Sequence, residues 1–231
     1  GARLAGSLRR LGIARLQLLV ITEDDPDALG GAADLLRRIS IGRAILPRAG
    51  APSFALREFE QELDRLGVPH GPPEAAGALR GPGDVRWEFG SDALPDRLPG
   101  AGSEALAVRV TLGGAKAAFV RARSGEGLRR LMAAHAQKLE AQVLRLLPAP
   151  GGAWPAETSR LIAVSGARTG VAGQGGLPPE DATGVDLEAL AETQGFRLAW
   201  PAREGSLRVS ASDPWALDVF HSGRWEKLAE R

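Results

Sequence analysis

Residues 16–31 read LQLLVITEDDPDALGG: an apolar run ends in four acids, Glu23, Asp24, Asp25 and Asp27, and a helical pattern begins at once. The run, 16–21, is short, contains β-branched residues and is bounded by breakers, so it reads as a buried parallel strand rather than a helix. Asp25-Pro26 is a helix start: a carboxylate to cap free N–H groups, then a proline where no N–H is needed. Leu29, Ala32, Ala33, Leu36 and Ile39 recur at helical spacing over 26–39, and Arg37 and Arg38 suit the negative end of the helix dipole. The acids therefore stand at the carboxyl end of a strand, where open α/β sheets place their chemistry.

At 231 residues the chain is long enough for one large domain or two small ones with a real core. Its net charge of +1 calls for no polyanionic partner by global field. Lys116, Lys138 and Lys227 are the only lysines among 29 basic residues. With the abundant Ala, Gly and Pro, that bias reads as a coding preference rather than a set of phosphate ligands. The absence of cysteine excludes disulfides, thiolate zinc sites and cysteine nucleophiles. No apolar run is long enough to span a bilayer and no signal peptide is recognisable. A start at Gly1 rather than Met is what a piece of a longer chain would give.

In chain order, Leu4, Leu8 and Leu11 share a face of a first helix that Gly12 stops, with Arg9 and Arg10 on the other side. After the acidic turn and its helix, 42–46 is a second apolar strand, which makes a βαβ unit. Residues 54–66 form an amphipathic helix with Phe54, Leu56, Phe59, Leu63 and Leu66 inward, and Val68 opens a short strand. The stretch 71–104 is a long Gly/Pro-rich loop with a strand island at 85–89. Strands at 106–112 and 117–120 flank the Gly113-Gly114 turn. A helix over 125–146, broken near His135, leads into an apolar strand at 143–147, and 161–164 reads as another buried strand. A second Gly/Pro-rich loop covers 168–183, a helix covers 185–194, and the chain closes in strands around 196–200, 207–210, 217–220 and Trp225.

The run RRLGIARLQLLVITEDDPDALGGAADLLRRISIGRAILP resembles the metallo-β-lactamase-like domain at the C-terminal end of ComEC-type DNA-uptake proteins. In that family a strand ends in His-x-His-x-Asp-His, and Gly-Gly follows near the start of the next helix. Here those positions hold Glu23, Asp25, Asp27 and Ala28, so only Asp27 matches, while Gly30-Gly31 and Leu35-Leu36 keep their places. Residues 105–110 resemble the family's strand before its hairpin. Residues 117–123 resemble the strand ending in a Gly-Asp metal ligand, with Arg123 at the aspartate position. Residues 141–145 resemble the strand before His-His-Gly-Ser, with Pro148 and Ala149 where the histidines would stand. The family's opening strands, with Gly-Gln-Gly-Asp and Ile-Asp-Gly-Gly signatures, would precede Gly1. The resemblance implies a single α/β domain over 1–231, a layered αββα sandwich without its first strands and with an open sheet edge. The degenerate site would comprise Glu23, Asp25, Asp27, Arg123, Pro148 and Ala149.

A dinuclear zinc site needs several imidazoles with bridging carboxylates, and this chain has only His70, His135 and His221. His70 reads as a turn residue, His135 as helical and His221 as a hairpin tip, with no His-x-His spacing. Arg123 at a ligand position would repel a cation. The expectation is no zinc, no cofactor and no catalytic residue. Glu23, Asp24, Asp25 and Asp27 could instead hold a hard metal such as Mg²⁺ or Mn²⁺. The preferred reading is that Asp25 caps the helix, Asp27 favours its dipole, and Glu23 and Asp24 face water, with a salt bridge from Arg123 replacing the metal.

Other chemistry is weaker. Ser159 and Ser165 lack a histidine at recognisable spacing, and GVAGQGG at 170–176 lacks the Gly-Lys-Ser/Thr ending of a phosphate loop. The five tryptophans could stack on bases but fit core or edge positions. Arg9, Arg10, Arg37, Arg38, Arg129 and Arg130 read as solvated helix exteriors. The leading functional reading is a metal-free, non-catalytic DNA-handling or structural domain, with single-stranded DNA as the partner that the resemblance implies. Its parent would be a membrane-embedded transporter, with this domain soluble on the outer side. The alternatives are a phosphodiesterase using the acids with a hard metal, and a protein-interaction module.

Overall fold

The structure is a computed structural model that describes residues 1–48, 50–92, 105–122, 124–147, 155–172, 187–195, 197–199, 206–210, 216–221 and 224–230; at 82, 172, 187, 188, 197, 199 and from 206 onward it describes backbone only. The chain divides into two compact units, one built on Gly1–Gly77 and the other on Ala78–Asp92 with Glu104–Arg231. Each has its own core.

In the first unit, helix α1 (Ala2–Arg10) precedes strands β1 (Arg15–Leu16) and β2 (Leu19–Val20), helix α2 (Pro26–Leu36), strands β3 (Ser40–Ile41) and β4 (Ala44–Ile45), helix α3 (Phe54–Arg65), strand β5 (His70–Gly71) and the short helix α4 (Pro73–Ala76). All strand pairs are parallel: β1 with β3, β2 with β4, and β4 with β5. The expected βαβ arrangement is present, each strand interrupted midway. At the interruption the two strands approach closely at Gly42, where a Cβ would lie 2.9 Å from the Gln17 carbonyl oxygen. The first strand is half-buried, with Gln17 exposed and only Ile21 at its end buried, not buried throughout. Among the described residues β2 pairs on one side only, as the edge of the order β2-β4-β5.

Leu29, Leu35, Leu56, Phe59 and Leu63 from α2 and α3 close over Ile41, Ala44 and Leu46. At about 1.5–3 kcal/mol for each large side chain removed from water, these contacts hold the helices to the strands. Two expected inward faces are corrected. In α1 the buried residue is Ala5, while Leu4 and Leu11 are exposed; in α3, Phe54 is 68% and Leu66 42% exposed. Both helices are short, and the terminal residues of an apolar stripe overhang the surface they cover. His70, expected in a turn, forms part of β5.

The second unit opens with strands β6 (Ala78–Arg80), β7 (Arg86–Ser91), β8 (Ala105–Leu112) and β9 (Ala115–Ala122). It continues with helix α5 (Gly125–Leu139), strand β10 (Val143–Leu147), helix α6 (Thr158–Ser165), strand β11 (Thr169–Ala172), helix α7 (Leu187–Gln194) and strand β12 (Arg197–Ala199). These strands form one seven-stranded sheet in the order β12-β11-β10-β9-β8-β7-β6. β6 to β9 pair antiparallel, and β9 to β12 pair parallel across helical connections. Strands β13 (Ser206–Ser210), β14 (Ala216–His221) and β15 (Arg224–Glu230) form a separate antiparallel sheet.

Gly113 and Gly114 both have positive φ, 54° and 87°, as the two-residue turn joining β8 to β9 requires. Ala105, Ala107, Ala118 and Ala122 give one sheet face a low surface, onto which α5, α6 and α7 bring Leu128, Leu131, Leu161, Ile162 and Ala191. Helix α5 breaks at His135 (φ −138°), as its sequence suggests. The His135 ring lies against Gly90, where a Cβ would come within 3.1 Å of it, and Nε2 meets the Ser91 carbonyl oxygen at 3.0 Å.

Residues 161–164 are not a strand but the middle of α6. Thr158, Leu161, Ile162 and Ser165 are buried at i, i+3, i+4 and i+7, and Gly166 (φ 62°) ends the helix. A four-residue apolar run carries no period of its own, so its neighbours decide. Two loop expectations also change. Within 71–104, residues 73–91 carry α4, β6 and β7, and 93–104 lie outside the described residues. Within 168–183, β11 occupies Thr169–Ala172 and the remainder lies outside them.

Candidate functional site

The acidic turn after β2 joins the starts of two helices. Asp25, in extended conformation, accepts at Oδ1 from the backbone N–H groups of Asp27 and Ala28, both at 3.0 Å. That is the expected cap, with Pro26 in the first turn. Asp24 was expected to face water. It is half-buried, and its carboxylate accepts from the Ser53 N–H at 2.7 Å and the Ser53 hydroxyl at 2.5 Å. The Ser53 oxygen in turn accepts from the Leu56 N–H at 3.0 Å and caps α3. Glu23 is half-buried and not without a partner, and Asp27 is exposed in the first turn of α2.

These assignments decide how the site residues fit a metal. Oδ1 of Asp25 and both oxygens of Asp24 already accept protein N–H or O–H donors, and a cation would have to displace them. The histidines have local surroundings of their own. His70 Nδ1 lies 3.0 Å from the Val68 carbonyl oxygen, His135 meets Ser91, and His221 pairs with Arg224 across the β14–β15 hairpin. Among the described residues no three His, Asp or Glu side chains form a group that could hold a metal ion. The described residues of the acidic turn, with two carboxylates already committed to N–H and O–H donors, do not by themselves make a dinuclear site. Arg123, Pro148 and Ala149, and with them the proposed Arg123 salt bridge, lie outside the described residues.

The remaining candidates resolve into structure. Ser165 is fully buried; its hydroxyl donates to the Ile162 carbonyl oxygen at 2.8 Å and accepts from the Ala167 N–H. Ser159 accepts from the Gln194 amide at 2.8 Å, and Gly170 belongs to β11. Arg9 donates to the Arg38 carbonyl oxygen at 2.7 Å, and Arg38 pairs with Asp34 at 3.1 Å. Arg130 was expected to be solvated. It is half-buried and paired at 2.7 Å with Asp92, itself 2% exposed and also accepting from the Ala105 N–H. Arg37 lines a groove of about 320 Å³ between α2 and α3, floored by Leu29, Ala33 and Phe59. Ser53 and Asp92 are two residues the sequence reading passes over. Ser53 before an amphipathic run is a legible cap signal, whereas nothing near Asp92 announces its partner 38 residues away.

A third is Arg145, in the otherwise apolar β10. It is half-buried, and desolvation alone pushes its guanidinium below its ordinary range.

Parallel strands alternating with helices in both units, with a helix-covered sheet in the second, define an α/β protein of the layered-sandwich class. No family model matches the chain, and no curated protein matches it. Among solved structures it is similar to the metallo-β-lactamase fold protein YhfI from Bacillus subtilis, at 12% identity and a TM-score of 0.54 over 87% of this chain and 81% of that one. The chain has a metallo-β-lactamase-like fold. At that identity the likeness carries fold and nothing more.

Proposed function

We propose that this chain is a metal-free, non-catalytic metallo-β-lactamase-like domain of a ComEC-type DNA-uptake protein, with a DNA-handling or structural role in competence. The parent is a membrane-embedded protein, this domain is soluble on its outer side, and its partner is single-stranded DNA. Among the described residues no helix is long and apolar enough to cross a membrane.

The observation that carries the reading is the use of Asp24 and Asp25 as helix-start acceptors. Residues at the strand end where the family binds metal are committed to holding α2 and α3. The family resemblance of residues 9–47 and the fold supply the rest of the support.

Elemental analysis of the domain purified without chelator tests it, together with a phosphodiester hydrolysis assay in Zn²⁺ and in Mn²⁺. The expected result is less than stoichiometric zinc and no hydrolysis in either metal. One zinc per chain, or Mn²⁺-dependent cleavage abolished by Asp25→Ala or Asp27→Ala, would replace this reading with the hard-metal or zinc phosphodiesterase. The sequence upstream of Gly1 is a separate test, because transmembrane segments there are required by the proposed parent.

A further inference from the structure

Helix α1 carries two rows of side chains that the fold leaves in water. Ala5 is 1% exposed and belongs to the core of the first unit, and Arg9 fastens the end of the helix by donating to the Arg38 carbonyl oxygen. Each residue turns the helix by about 100°, so the order around it runs from Ala5 to Leu4 to Arg3. Leu4 and Leu11, seven residues apart, share one face and are 52% and 74% exposed. Leu11 continues that ridge because its backbone, at the C-cap, stays close to helical (φ −83°, ψ 5°). Arg3 and Arg10, also seven apart, form the next row and are exposed. Residues 1–22 contain Arg3, Arg9, Arg10 and Arg15 and no acidic residue. On α2 the acid beside α1 is Asp34, already paired with Arg38 at 3.1 Å. A single exposed leucine is ordinary. Two in register beside two arginines make an apolar ridge bordered by cations.

We propose that α1 docks this unit on the surface of an anionic phospholipid bilayer, with Leu4 and Leu11 entering the headgroup boundary and Arg3 and Arg10 meeting lipid phosphates. Charge complementarity selects this occupant. An anionic leaflet offers an apolar interior to the ridge directly beside phosphates for the cations. Nucleic acid would engage the arginines and leave the leucines in water. A second copy packed antiparallel on the ridge would set Arg3 and Arg10 against the same row of its partner, like charge facing like. At nine residues α1 is far too short to span a bilayer, so it lies on the surface. The inference stands on α1 and goes beyond the DNA-handling reading. The membrane-embedded parent proposed above would keep the helix beside such a surface, but lipid binding is measured without it.

The test is flotation of the chain with vesicles of mixed phosphatidylcholine and phosphatidylglycerol, and of phosphatidylcholine alone, at low and high KCl. Two double variants are compared with it, Arg3→Gln with Arg10→Gln and Leu4→Ser with Leu11→Ser. The unaltered chain is expected to bind the anionic vesicles, more weakly as KCl rises, and to bind phosphatidylcholine alone at least about tenfold less well. Losing both arginines is expected to weaken binding about 25-fold, roughly fivefold for each cation near an anionic surface, and to flatten the salt dependence. Losing both leucines is expected to weaken it about tenfold with the salt dependence kept. Both variants should melt with the unaltered chain, since all four side chains are exposed. If the leucine variant melts lower, the arginine variant decides, and unchanged vesicle binding there overturns the docking surface. Equal binding to phosphatidylcholine alone, or no binding by the unaltered chain, also overturns it. A lipid-free dimer in sedimentation that the leucine variant dissociates would give the ridge to a second copy, and displacement from the vesicles by oligo-dT would give the cations to nucleic acid; either result overturns the proposal. Zinc content and phosphodiester hydrolysis, which judge the reading above, are separate measurements that none of these outcomes changes.

Discussion

Asp24 holds Ser53 by two hydrogen bonds, from its N–H at 2.7 Å and its hydroxyl at 2.5 Å, across 29 residues of sequence. The contact ties the turn after β2 to the first residue before α3, and Ser53 passes it on by capping Leu56. Two helix starts thus depend on one acidic turn. Asp24→Ala should destabilise the chain by about 1.5–3 kcal/mol, the range for hydrogen bonds to a charged group. Ser53→Ala should cost about 1 kcal/mol as a lost cap. The double variant should cost less than the sum, because either change already breaks the shared contact. Urea melts of the four proteins measure this, and strict additivity would mean the two residues act separately.

Asp25 stabilises α2 through two backbone N–H groups. Asp25→Ala should lower stability by about 1 kcal/mol, while Asp25→Asn, which keeps an acceptor, should cost less. Asp27→Ala removes only a first-turn charge and should cost about 0.3–1 kcal/mol, shrinking in high salt. Thermal melts at two ionic strengths separate these effects.

Two glycines should respond to alanine with opposite signs. At Gly42 a Cβ would press on the Gln17 backbone oxygen at 2.9 Å, so Gly42→Ala should cost about 1–3 kcal/mol by forcing the strands apart. At Gly30, inside α2, a Cβ meets nothing within 4 Å. Gly30→Ala should stabilise by about 0.5–1 kcal/mol through helix propensity alone. Denaturant melts give both values, and a stabilised Gly42→Ala would contradict the packing described.

The exposed pair Glu126–Arg129 makes a pH prediction. The hydrogen bond and charge of Arg129 hold the Glu126 carboxyl below its ordinary value of 4.5. A depressed pKa in the folded state contributes stability above the unfolded value, and that stability disappears as pH falls through the folded one. Glu126→Gln should therefore be slightly less stable than the unaltered chain at neutral pH and equal to it in acid below the carboxylate range. High salt should narrow the neutral-pH difference. Melts at both pH values, with and without salt, check it.

What the sequence determined by itself was local. Asp25-Pro26 starts α2, Gly113-Gly114 turns the β8–β9 hairpin, and the helix from Gly125 breaks at His135. Each depends on the conformational preferences of residues within a turn or two, and the strand-and-turn pattern of residues 16–31 was legible for the same reason. The tertiary structure decided what depended on distant neighbours. Residues 161–164 are helical because Thr158 and Ser165 complete a buried stripe that four apolar residues cannot announce. Asp24 is a fold-stabilising acceptor because Ser53 is placed within reach of it, and Asp92 is a buried acid because Arg130 arrives on α5. Arg145 stands out only once strand pairing sets it between Phe119 on β9 and Val171 on β11, with no acid on either strand. A side chain's chemistry is written in its own residue, but whether a partner compensates its charge is settled by chain segments that meet only on folding.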